Sequence, residues 1–148
     1  MTDPDLLARL QFLVGIPFNV ALGLSLEDAS PDGWAVMRLP YRAELVGNPE
    51  TGVLHGGMIT SLVDACCGVA VLLKVEFRCS VATLDLRIDY LRPARPPEDV
   101  LARGECYKLT HHVAFVRALA HDGDPSDPIA SASGTFVIFE RGSSRRGG

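Results

Sequence analysis

The chain has 148 residues, 47% of them hydrophobic, and a formal net charge of −4. That length and apolar content fit one globular domain with an adequate core, and the modest charge with no basic run in the folded portion argues against nucleic acid as a partner. Cys66, Cys67, Cys79 and Cys106 show neither Cys-x-x-Cys spacing nor a His/Cys metal cluster, and no leader or clear membrane span is evident, so the expectation is a cytoplasmic, metal-free protein with one domain over 1–141.

Asp3 to Val14 reads as a short helix, with Asp3 as N-cap, Pro4 in the first turn and Leu6, Leu7, Leu10 and Val14 on one side. Ile16-Pro17-Phe18-Asn19 ends it. The runs Leu22 to Ala29 and Trp34 to Leu39 flank Ser30-Pro31-Asp32-Gly33, a strong turn signal, and predict a hairpin. The stretch from Pro40 to Leu54 reads as a loop that delivers Gly56 and Gly57 to the start of a long helix running to Lys74.

That helix is apolar nearly all round, which marks a buried element. It carries one carboxylate, Asp64. Its same-face neighbours are Thr60, Ser61, Cys67 and Gly68, so no basic residue on the helix can pair with it. An unpaired carboxylate in such surroundings is hydrogen-bonded, for example to Ser61 or a loop amide, or it is functional. The glycines favour function, because a helix start presents free N–H groups and glycine lets a substrate approach them closely. Such a site can hold the oxyanion of an acyl transfer, where one donor is worth about 3 kcal/mol. Gly56 and Asp64 are about 12 Å apart along one helix, too far to act on one carbon. Two antiparallel copies of the helix would bring the glycines of one to the aspartate of the other, so a homodimer with two shared sites is the simplest arrangement.

Four strand-like segments complete the chain: Val81 to Leu91, Val100 to Leu109, Val113 to His121 and Ile129 to Glu140. In the first, period-two alternation sets Thr83 on the face opposite Leu84 and Leu86. Residues 142–148 read as a disordered tail. The expected fold is α+β, one curved antiparallel sheet wrapped around a long central helix. His111 and His112 fall at a turn and read as solvent-exposed, and Cys66 and Cys67 as small core residues. Arg87, Arg92, Arg95 and Lys108 are candidates to meet anionic phosphates.

The run Asn48…Gly52-Val53-Leu54-His55-Gly56-Gly57, with Asp64 nine residues after the histidine, resembles the hotdog-fold acyl-CoA thioesterases, and most closely the phenylacetate-degradation (PaaI-like) branch. Thr83-Leu84-Asp85-Leu86-Arg87-Ile88-Asp89-Tyr90-Leu91-Arg92-Pro93 is similar to that family's strand after the helix. The spacing from Asn48 to His55 is one residue longer than the family's usual one. The resemblance implies hydrolysis of an acyl-CoA thioester, with CoA thioester as substrate and no other cofactor. It implies the Gly57 amide, with Gly56 beside it, as the thioester-oxygen site and Asp64 of the partner as nucleophile or general base. Asn48 and His55 would shape the thioester site, Thr83 would orient water or Asp64, and Ser61 would contact substrate. Dimers, and pairs of dimers as homotetramers, are implied too. The acyl pocket is expected near Leu62, Cys66 and the stretch from Phe18 to Asn48. Two alternatives stand beside this reading: a non-catalytic acyl-CoA or lipid-binding module, and a hotdog dehydratase or hydratase with a histidine base.

Overall fold

The structure, a computed structural model, describes residues 4–141. The Asp3 cap and the 142–148 tail lie outside the described residues. Helix α1 spans Pro4–Val14 and is followed by a second, six-residue helix, α2, over Pro17–Leu22. Here the structure corrects the expectation of a strand from Leu22. Pro17 at the first helical position presets φ for a helix, and Gly23 closes it in the left-handed region (φ 73°) with its N–H on the Val20 carbonyl. The strand β1 therefore starts only at Ser25 and runs to Ser30.

β1 pairs with β2 (Trp34–Leu39) across the predicted turn, where Gly33 (φ 98°) donates its N–H to the Ser30 carbonyl. The expected loop contains a short 3-10 turn (Ala43–Leu45) and a small hairpin, β3 (Val46–Asn48) with β4 (Val53–Leu54). Helix α3 covers Gly56–Lys74. β5 (Cys79–Tyr90), β6 (Val100–Leu109), β7 (Val113–His121) and β8 (Ala130–Glu140) complete a six-stranded antiparallel sheet in the order β1-β2-β6-β7-β8-β5.

α3 lies on one face of that sheet. Apolar residues there, such as Ala35, Met37, Ala102 and Val116, are fully buried and share one core with Leu62, Val63, Cys66 and Val71. The approach is close. A Cβ at Gly104 would sit 3.1 Å from backbone atoms of Cys66 and Cys67. The Cys66 thiol bonds the carbonyls of Ala35 and Ala102, and burial pushes its pKa up to about 12, so it behaves as the expected small core residue. Among the described residues α3 is also the one helix long and apolar enough to cross a bilayer, and here half of that apolar span is buried within the fold.

β5 sits at the sheet edge, and its alternation is broken by a bulge. The ladder pairs Thr83 with Phe136 and Asp85 with Thr135, leaving Leu84 as the extra residue, 58% exposed. The expectation that Thr83 faces away from Leu86 is thereby corrected: one inserted residue inverts the parity of a pleated strand, so Thr83 and Leu86 line the same cavity.

Candidate active site

Along α3, residues one turn apart line up, and the row Thr60, Asp64, Gly68 faces the β5 edge of the sheet rather than its central strands. This row borders a cavity of about 550 Å³, closed on one side by Thr83 and Leu86 of β5 and on the other by Ile16 of the N-terminal arm. Asp64 is half-buried at its edge. The Thr83 hydroxyl donates to Asp64 Oδ1 at 2.7 Å, which fixes one carboxylate oxygen and leaves the other for chemistry. Ser61 also lines the cavity, but its hydroxyl is bonded to the Gly57 carbonyl at 2.8 Å rather than to Asp64. Leu62 and Cys66 themselves are fully buried, because α3 turns those positions inward; their neighbours Ser61 and Ala65, with Phe18 and Asn19 from the expected stretch, line the cavity, and Gly68 joins them.

The residues at the helix start form a separate group. His55 is the N-cap, and its Nδ1 accepts the Gly57 N–H at 2.9 Å. Gly56, first in the helix, is one of the positions whose N–H has no intrahelical acceptor. Its carbonyl accepts from the Tyr90 hydroxyl at 2.8 Å, and that hydroxyl lies 2.6 Å from Thr60 Oγ1. Gly56 and Tyr90 border a second cavity of about 360 Å³. Asn48 lines neither cavity. Its Oδ1 accepts the Glu50 N–H and its carbonyl the Gly52 N–H, so it organises the β3–β4 turn, which closes at Gly52 (φ 75°).

Within the chain, Asp64, Thr83 and Ser61 meet at one cavity, while Gly56, Gly57 and His55 gather at the helix start. The seven-residue step from Gly57 to Asp64 separates the two groups by about 10 Å along the axis.

Of the basic candidates, Arg92 is committed internally. It makes a two-pronged contact with Asp122, whose side chain is fully buried. The Arg92 guanidinium holds the Asp122 carboxyl down at about 2. Arg95 pairs with Asp127 and Arg87 with Asp89. His111 and His112 are exposed at the β6–β7 turn, as expected. Sequence reasoning missed Thr60 and Tyr90. Tyr90 reads there as one more apolar strand residue, and nothing local announces that its hydroxyl returns to the helix start.

Residues 51–129 match the model of the Thioesterase superfamily. The medium/long-chain acyl-CoA thioesterase YigI of Escherichia coli is 31% identical over 140 residues, which cover 86% of this chain and 88% of that protein. A crystal structure of a Pseudomonas aeruginosa protein superposes with a TM-score of 0.79 at 43% identity, covering 89% of this chain and 98% of the other. The PaaI protein of the E. coli phenylacetic acid degradation operon shares the fold, with a TM-score of 0.75 at 18% identity over 88% of each chain. The chain belongs to the thioesterase superfamily and is a thioester hydrolase built as a hotdog, its antiparallel sheet packed on the long helix that carries Asp64.

Proposed function

We propose that this thioester hydrolase acts on acyl-CoA and that each of its active sites is shared by two subunits. The observation that carries the proposal is the separation of the two groups. Asp64 with Thr83 sits at one cavity and the Gly56/Gly57 helix start lies about 10 Å away, so neither group alone has both a proton acceptor and an oxyanion donor. An antiparallel partner helix supplies the missing half. Support for such pairing comes from β5, a twelve-residue edge strand with Leu84 and Tyr90 both more than half exposed. A dimer is the smallest assembly that completes the site, and a dimer of dimers contains it twice.

In the reaction, the thioester carbonyl oxygen meets the helix start of one subunit while Asp64 of the other faces the carbonyl carbon. Asp64 takes a proton from water, and the hydroxide adds to the carbonyl. The oxyanion is held by the helix-start N–H groups and its dipole. Collapse breaks the C–S bond and releases the acid and the CoA thiol, the thiolate regaining the proton. Alternatively Asp64 itself adds to the carbonyl and expels the thiolate, and water then cleaves the resulting anhydride. His55 Nδ1 holds the Gly57 N–H in the free subunit. A thioester oxygen arriving there shares or displaces that bond, which gives His55 its place at the site. No step is assigned to a metal or a further cofactor.

The test is thiol release from a panel of acyl-CoAs by wild type and Asp64→Asn. Release by wild type that falls by a factor of about 10³ or more in the variant supports Asp64 in either role. Hydrolysis in H₂¹⁸O under single-turnover conditions tests the anhydride route directly: label recovered in Asp64 marks that route with water attacking the Asp64 carbonyl carbon. A variant as active as wild type would sink the assignment.

A further inference from the structure

Gly68 stands one helical turn beyond Asp64 on the cavity-facing row and lines the cavity. Glycine inside a helix destabilises it relative to alanine, so its presence needs a physical reason. Two ordinary reasons fail. Gly68 has no positive φ, and a Cβ built on it would meet only Phe136 Cε1, at 3.6 Å, an ordinary contact. Gly104 makes the contrast, since a Cβ there would crowd the helix backbone at 3.1 Å. The remaining consequence of the missing side chain is space in the cavity.

The cavity changes character along this row. Thr60, Ser61 and Asp64 make its polar end; beyond them Gly68, Val69 and Leu72 face Val81 and Phe136, all without a polar side chain. We infer that Gly68 is the length gauge for the acyl group: its bare backbone lets an unbranched aliphatic chain run past Asp64 toward Leu72. Asp64 and Leu72 are about 12 Å apart along the helix, the extent of a medium-length chain. The inference rests on the acyl-CoA reading above and adds the residue that sets chain length. A side chain larger than methyl at position 68 fills the path against Phe136, while the carboxylate end stays open.

The experiment measures kcat/KM for butyryl-, octanoyl- and dodecanoyl-CoA with wild type, Gly68→Ala, Gly68→Val and Gly68→Leu. Gly68→Ala is the folding control and is expected to raise Tm. Gly68→Leu is expected to lose at least tenfold more kcat/KM on dodecanoyl-CoA than on butyryl-CoA, with Gly68→Val between. An equal loss at all lengths, or an unchanged profile, overturns the gauge. The same variants are then tested by calorimetry with butyl- and dodecyl-CoA thioethers, which cannot be hydrolysed. If wild type releases no thiol, the enzyme reading fails, and the gauge is decided by binding. Selective loss of the dodecyl ligand in Gly68→Leu supports it, and parallel affinities overturn it.

Discussion

The Thr83 hydroxyl and the Asp64 carboxylate, nineteen residues apart in sequence, meet at 2.7 Å across the gap between β5 and α3. The contact exists because the bulge at Leu84 turns Thr83 toward the cavity. Thr83→Val keeps the shape and removes the donor. A hydrogen bond to a charged group is worth about 1.5–3 kcal/mol, so kcat is expected to fall by a factor of about 10–100 with KM little changed. Steady-state kinetics on one acyl-CoA decides this, and an unaltered kcat would remove Thr83 from the catalytic arrangement.

Sharing of sites between subunits is testable by mixing. Asp64→Asn removes the carboxylate, and Gly57→Pro removes one N–H in the first turn of α3, where the added Cβ, 2.9 Å from His55 Nδ1, also pushes that ring aside. Each variant alone is expected to be nearly inactive. Refolded together in equal amounts, half the dimers are mixed and each carries one intact site, so activity returns to about a quarter of wild type. No recovery in mixtures that do contain heterodimers would place both groups' work within one subunit.

The Tyr90 hydroxyl ties the far end of β5 to the Gly56 carbonyl and Thr60, and a Cβ at Gly56 would meet the Tyr90 ring at 3.4 Å. Tyr90→Phe is expected to cost about 1 kcal/mol of stability through the lost bonds. It is also expected to lower kcat on every acyl length by a similar factor, because the helix start is less firmly placed. Denaturant melts run beside kinetics separate the two effects; a stability loss with unchanged kcat would confine Tyr90 to holding the fold.

Asp122 is the buried charge that acid should find. Arg92 bonds both of its oxygens, and the Arg95 N–H adds a third bond at 2.8 Å, so its folded pKa, about 2, lies below the ordinary carboxylate value. A depressed carboxyl contributes stability that is full above about pH 4 and is lost as pH falls through about 2, an amount of about 2 kcal/mol. Asp122→Asn leaves Arg92 without its main partner and is expected to cost about 3 kcal/mol at pH 7. Urea melts of both proteins between pH 7 and pH 2 should show that gap narrowing below pH 4. A gap independent of pH would mean the carboxylate charge is not what stabilises the site.

Much of this protein is written locally. Residues 56–74 are apolar enough to form a core helix in any order of assembly, Asp64 stands out as the carboxylate without a partner there, and the Ser30–Gly33 turn fixes its hairpin by backbone preference alone. The His-Gly-Gly start followed by a spaced aspartate carried the family resemblance, and the spacing alone implied that one helix cannot unite the two groups.

What only tertiary structure decided depends on neighbours distant in the chain. Period-two alternation put Thr83 on the wrong face because a bulge is set by pairing with β8, which the strand's own residues do not encode. Ile16-Pro17-Phe18-Asn19 reads as a helix end and the apolar run from Leu22 as a strand, whereas Pro17 starts α2 and Gly23, in the left-handed conformation, ends it. Leu62 and Cys66 belong to the core and Gly68 to the cavity because the central strands pack tightly on one side of α3, while the β5 edge leaves a gap on the other. Tyr90 reaches Gly56 only when the edge strand returns past the start of the helix, a contact made by packing rather than by pattern.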